Sequence, residues 1–187
     1  MPLDIKNGSS DQKTSMRGRG EFIALIAAIM AINALAVDIM LPGLPQIGAS
    51  LGVQSENHVQ FVITAYLLGF GVSQLFYGPL SDRFGRRLPL FGGLVIYILA
   101  ALGSAIVTDF TTLIILRVLQ GLGAAGTRVI AVSVVRDKFA GRQMAEVMSL
   151  VMMVFMILPV VAPATGQLIM LFGEWHLIFL SMALMAL

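Results

Sequence analysis

The chain has 187 residues, of which 58% are apolar and only 12% are charged, against about 25% charged in a typical soluble domain. A soluble protein of this composition would lack polar side chains to cover its surface, and a formal charge of +2 is too small for a nucleic-acid binder. The absence of cysteine excludes disulfides, thiol chemistry and Cys-containing metal sites, and His58 and His176 have no ligand-like spacing, so no metal and no cofactor are expected.

Residues 1–20 are polar, rich in Gly, Ser and Lys/Arg, and have no hydrophobic period, which predicts a disordered cytoplasmic tail. The first apolar run exceeds the usual 7–15 residues of a signal peptide and lacks a small-residue cleavage site. Residues 21–187 predict an all-α transmembrane bundle, because about 20 apolar residues cross the hydrocarbon core as a helix and such runs follow one another. The spans are read as 22–44, 60–80, 88–107, 112–135, 144–171 and 175–187. The last has about 13 residues, short of the ~20 needed, and stays hydrophobic to Leu187. It is therefore read as a truncated span and the chain as a fragment.

Ten of the 12 Lys/Arg lie on one side: Lys6, Lys13, Arg17 and Arg19 in the tail, Arg83, Arg86 and Arg87 after span two, and Arg136, Lys138 and Arg142 after span four. The opposite loops 45–59, 108–111 and 172–174 contain no Lys or Arg. Cations collect on the cytoplasmic side, so the amino terminus is expected in the cytoplasm of a multi-pass protein in the lipid bilayer.

Polar groups inside a bilayer are costly and mark cavities or partners. Asp38 is the one acid well inside a span, and Arg117 on span four lies at similar depth. The two are expected to pair, with Asp38 responding to protons as the cavity hydrates. Arg128 follows Arg117 by 11 residues, almost a whole number of turns, so both project from one face. Asn33, five residues before Asp38, is a further polar candidate. Gly121, Gly123 and Gly126 match GxGxxG, but inside a span they read as a small-residue face for close helix packing. Pro159 and Pro163 each remove a backbone donor from span five and predict a gating bend. Met144, Met148, Met152 and Met156 form an i, i+4 ridge on that span, adaptable to varied apolar ligands.

The turn after span two, Gly78-Pro79-Leu80-Ser81-Asp82-Arg83-Phe84-Gly85-Arg86-Arg87, crowds an acid and three arginines around Gly85. A purely topological loop needs the arginines but not Asp82. With Leu90, it resembles the loop motif G-x-L-a-D-r-x-G-r-r-x-x-l of the major facilitator superfamily, in the expected place. Arg117 to Gly123 is similar to that superfamily's R-x-x-Q-G-x-G. Asp38-Ile39-Met40-Leu41-Pro42-Gly43-Leu44-Pro45, with Arg136-Asp137, resembles its Bcr/CflA drug-resistance branch. The fifth-helix antiporter motif G-x-x-x-G-P-x-x-G-G is met only by Pro163 and Gly166; Leu158, Ala162 and Gln167 replace the other glycines.

The resemblance implies twelve spans in two six-helix halves, of which this chain supplies the amino-terminal one and lacks the carboxy-terminal one. It also implies proton-driven export of drugs or other amphipathic small molecules from the bacterial inner membrane by alternating access. In that frame Asp38, Arg117, Arg128 and Asn33 would serve protons and substrate. Gly78, Asp82, Arg83, Gly85, Arg86 and Arg87 would form a conformational switch. Gly121, Gly123, Gly126, Pro159, Pro163 and Gly166 would serve packing and gating. Alternatives are a transporter of a metabolite or sugar, and a small membrane protein or half-transporter that dimerises. A membrane enzyme is not expected: the spans carry no catalytic residues, having no Cys, no His away from their ends and a single acid, Asp38, well inside.

Overall fold

The structure is a computed structural model, and it describes residues 8–53 and 55–187. The described residues are all-α. Helix α1 (Gly8–Asp38) runs into a 3-10 turn (Leu41–Gly43) and α2 (Leu44–Ser50); a short α3 (Glu56–Val59) precedes α4 (Phe61–Phe84). There follow α5 (Arg87–Ser104), α6 (Phe110–Lys138), α7 (Gly141–Phe172) and α8 (His176–Met185). Five stretches, 20–50, 57–84, 87–104, 110–138 and 141–172, are long and apolar enough to cross a membrane, and α8 is a shorter apolar helix.

Two details differ from the expectation. Helix α1 begins at Gly8, so residues 8–20 continue the helix where their composition predicts an irregular tail; residues 1–7 lie outside the described residues. Extending an existing helix is far cheaper than starting one, so a polar stretch can follow an apolar span. Helix α1 ends at Asp38, within the first apolar stretch, and the expected loop 45–59 holds most of α2 and all of α3. Pro42 and Pro45, each in the first turn of a new element, explain the restart: proline cannot continue a helix but suits its first turn. Helix α7 runs as one helix through Pro159 and Pro163, the two prolines of the expected gating bend.

Helix α6 is the central element, packed along α4 and α5 and touching α1 and α7; α1 also packs on α7, and α8 on α5. Glycines set the spacing. A Cβ at Gly121 would meet the Tyr66 carbonyl, at Gly123 the Gly93 carbonyl and Tyr97 nitrogen, and at Gly126 the Tyr77 ring. Gly166 likewise lets α7 approach the Ile39 carbonyl and Pro42. These are the close small-residue approaches expected of membrane helices, where dispersion rather than hydrophobic burial drives association.

The main core joins Leu35 of α1, Met40 just after it, Tyr66 of α4, Tyr97 of α5, Leu113 of α6 and Phe179 of α8, among others. A second cluster at the opposite end joins α1 (Ile26, Met30), α6 (Ala131, Val135) and α7 (Val147, Val151). The turns are specified locally. Gly85 ends α4 at φ 79°, in the left-handed region that favours glycine. Asp109 caps α6, accepting from the Thr112 N–H at 2.8 Å and its hydroxyl at 3.0 Å, which holds its carboxyl below the usual range.

Candidate functional site

The polar residues form two assemblies, one inside the bundle and one at the α4–α5 turn. The first centres on Arg117, which is completely buried. Its guanidinium donates to Gln120 Oε1 at 2.7 Å, to the Ala36 carbonyl at 3.2 Å and to Met40 Sδ. It lies over the rings of Tyr66 and Phe179, 5.4 and 5.0 Å from their centroids. Its Nε has no partner. Gln120 donates onward to Met182 Sδ at 3.6 Å, and the Tyr66 hydroxyl donates to Asn33 Oδ1 at 2.8 Å. One cation on α6 thereby ties α1, α4 and α8 together through carbonyl, sulfur and aromatic faces.

The expected pair of Asp38 with Arg117 is not formed. No ion pair joins them, and Arg117 reaches Ala36 and Met40 instead. The reason is angular. Residues 36 and 40 are about 40° apart on a helix, whereas 38 lies about 200° from 36. Ala36 and Met40 are fully buried; Asp38 is partly exposed at the last position of α1. Asn33 shares the buried face with Ala36 and Met40, so it belongs to the Arg117 assembly and not to Asp38. Arg128 lies apart from Arg117, half-buried with its guanidinium 5.8 Å from the Phe155 centroid on α7. Of the methionine ridge, Met144 and Met148 pack on the second core cluster, while Met152 and Met156 are exposed.

Arg117 fixes a testable energetic balance. Truncation to Ala leaves Gln120 Oε1 and the Ala36 carbonyl without their donor and opens a void, each costing on the order of 1–3 kcal/mol. Removing the charge returns part of its desolvation cost. We expect Arg117→Ala to lower stability by about 2–4 kcal/mol and Arg117→Met, which refills the volume, by less than half as much. Unfolding in mixed micelles measures both; equal losses would mean that the hydrogen bonds and not the volume decide.

The second assembly centres on Arg86. Its Nη1 donates to Asp82 Oδ1 at 2.7 Å and Ser81 Oγ at 2.6 Å. Its Nε donates to Asp137 Oδ2 at 2.9 Å and its Nη2 to Asp137 Oδ1 at 3.4 Å. The fork on Asp137, with Asp82, raises the guanidinium's affinity for its proton further, so its charge is permanent. The ends of α4, α5 and α6 are thus joined by one residue. The Gly78 carbonyl accepts from Ser81, and Gly85 turns the chain so that Arg86 can fold back. Arg83 points elsewhere, 5.4 Å from the Phe84 centroid, and Arg87 is exposed at the start of α5. Three arginines in one turn look alike in sequence. Only the position 51 residues on, Asp137, separates them. Tyr66, Phe179 and Met182 are the residues that sequence reasoning missed, because an aromatic or a methionine in a span gives no polar signal.

A family profile described as Major Facilitator Superfamily matches residues 26–187. The chain belongs to the major facilitator superfamily. It is 38% identical over 157 residues to a Bacillus subtilis (strain 168) protein named uncharacterized MFS-type transporter YdgK, covering 83% of this chain and 39% of that one. It is 35% identical over 164 residues to the multidrug resistance protein MdtL of Escherichia coli (strain K12 / DH10B), covering 88% of this chain and 42% of that one. The chain therefore spans about two-fifths of the length of the curated relatives it matches. The five long apolar helices agree with a multi-pass membrane protein of this superfamily.

Proposed function

We propose that the chain forms the amino-terminal six-helix half of a proton-coupled exporter of amphipathic cations, of the Bcr/CflA drug-resistance type, in a bacterial inner membrane. The kinship with MdtL over 88% of the chain carries this reading. The geometry adds a carboxylate in the right kind of place. Arg117 is engaged by neutral acceptors and aromatic faces, and Asp38 has no ion-pair partner among the described residues, so it stays available to a proton or a cationic substrate. A proton and a cation competing for one carboxylate couple export to proton entry without contact between them. Alternating access also needs a second six-helix set. The exposed apolar faces of α4 (Leu68, Leu75, Phe76) and α7 (Met153, Met156, Val160) are suited to receive it.

The Arg86 assembly supplies the conformational element. Its acids are 66% and 53% exposed, so each pair contributes only about 0.2–1 kcal/mol to folding. That is enough to move a balance between two transport states severalfold. Asp82→Ala and Arg86→Ala are expected to leave insertion and melting nearly unchanged while cutting transport severalfold, Arg86→Ala more than Asp82→Ala because it removes both pairs. Normal transport by Arg86→Ala would reduce the turn to a topology signal.

The orientation is tested by reporter fusions: those at Leu51 and Asp109 should read outside the cytoplasm, and those at Arg86 and Gly141 inside. The export reading is tested in bacteria stripped of their main exporters. The chain joined after Leu187 to the carboxy-terminal half of MdtL should raise tolerance to ethidium at least fourfold. The 187-residue chain alone should match the empty vector, because the cavity faces of one half meet lipid. Tolerance conferred by the chain alone would favour a dimer of halves.

A further inference from the structure

Helix α5 carries two adjacent glycines with different surroundings. A Cβ at Gly93 would collide with the Gly123 carbonyl and the Tyr77 hydroxyl, so helix packing explains that glycine. A Cβ at Gly92 would meet nothing within 4 Å. A glycine inside a helix lowers its stability relative to alanine, and here no neighbouring helix repays the loss.

Gly92 instead forms the floor of a shallow groove of about 740 Å³ lined by Arg87, Leu88, Phe91, Val95 and Ile96. Leu88 and Ile96 lie four residues to either side of it, so the missing side chain leaves a notch in that row. Phe91 and Val95, 64% and 54% exposed, form the wall. The opposite face of α5, with Gly93, Tyr97 and Ala101, is buried against the bundle. The groove therefore faces away from the protein.

Arg87 stands at one end of this groove. Helix α5 has 18 residues, or about 27 Å, close to the ~30 Å hydrocarbon core, and Arg87 is its first residue. Its guanidinium accordingly lies at headgroup depth. It is exposed, and among the described residues it has no acidic partner, the neighbouring acids Asp82 and Asp137 being held by Arg86.

We propose that this groove is a binding site for one anionic phospholipid, with its phosphate on Arg87 and an acyl chain seated over Gly92 between Phe91 and Ile96. Charge complementarity selects the occupant: an apolar trough alone takes any acyl chain, but a free cation at its headgroup end favours a net-negative lipid over a zwitterionic one. A single basic residue near a membrane surface corresponds to about a fivefold preference. Placing the lipid in the cytoplasmic leaflet rests on the orientation proposed above. Binding itself does not, so the reporter fusions and the lipid test fail independently.

The test is native mass spectrometry of the purified chain in detergent, titrated with dioleoyl-phosphatidylglycerol, dioleoyl-phosphatidylcholine or glycerol 3-phosphate. The wild-type chain is expected to retain one phosphatidylglycerol about fivefold more readily than phosphatidylcholine, and glycerol 3-phosphate should not compete. Arg87→Gln should abolish the preference while retaining both lipids equally. Gly92→Leu, which fills the notch in open space and should not disturb the fold, should lower retention of both; circular dichroism checks its helicity, and Arg87→Gln is independent of it. Unchanged phosphatidylglycerol retention in both variants would overturn the proposal. So would effective competition by glycerol 3-phosphate, or a dimer that Gly92→Leu dissociates, which would show a second copy in the groove.

Discussion

Gly123→Val is expected to abolish recovery of folded protein, whereas Gly71→Ala on α4 should be recovered like the parent. The contrast is geometric. Any Cβ at Gly123 meets the carbonyl of Gly93 and the backbone nitrogen of Tyr97, and backbone cannot rotate away as a side chain can. Accommodating valine means moving α5 off α6, which also strips contacts from Tyr97 and weakens the packing of α8 on α5. Overpacking with side chains as neighbours costs about 1–3 kcal/mol. Separating two helices along a backbone seam should exceed ~4 kcal/mol, a large share of the 5–15 kcal/mol typical of a whole domain. At Gly71 a Cβ meets nothing within 4 Å. Size-exclusion chromatography of detergent extracts reads both variants. A monodisperse Gly123→Val peak would mean that the α5–α6 seam yields more easily than its contacts imply.

The spans were legible because hydropathy and the placement of Lys/Arg are one-dimensional signals. The close packing of α6 on its neighbours was legible for a similar reason, since Gly121, Gly123 and Gly126 cannot be explained as helix formers and must serve close approach, the first and last to α4 and the middle one to α5. The pairing of polar groups was not. Depth along a helix follows from counting residues, and Asp38 and Arg117 do share a depth. Azimuth depends on how each helix is rotated in the bundle, and that rotation turned Asn33, Ala36 and Met40 towards Arg117 while Asp38 turned away. The signal existed in the i, i+4 relation of Ala36 and Met40, but small apolar residues are ambiguous between a core face and a lipid face. The end of α1 was obscured differently. Leu41-Pro42-Gly43-Leu44-Pro45 is apolar enough to pass as span, and only the two prolines mark the restart. At the α4–α5 turn the acid was recognisable, yet the choice of Arg86 over Arg83 and Arg87 depended on a partner on another helix.

Asp38→Asn is expected to abolish proton-driven efflux, and this is the second large effect. Asparagine keeps the size and much of the hydrogen bonding of the side chain but can neither carry charge nor exchange a proton. Among the described residues Asp38 has no ion-pair partner to be orphaned, and it sits partly exposed at the end of α1, so the substitution should leave the fold intact. Arg117, by contrast, is too enclosed to meet a substrate without dismantling its contacts with Tyr66 and Phe179. The two residues should therefore separate cleanly by experiment: Arg117 variants lose stability, and Asp38 variants lose coupling. Asp38→Glu, with the carboxylate displaced by one methylene, should retain part of the activity.

The most direct measurement is ethidium transport by everted membrane vesicles carrying the chain joined to the carboxy-terminal half of MdtL, energised with an imposed pH gradient. The parent should show gradient-dependent uptake, Asp38→Asn at least a hundredfold less with unchanged protein level and melting, and Asp38→Glu a partial recovery. Gradient-dependent uptake at the parental rate by Asp38→Asn would contradict a coupling role for Asp38.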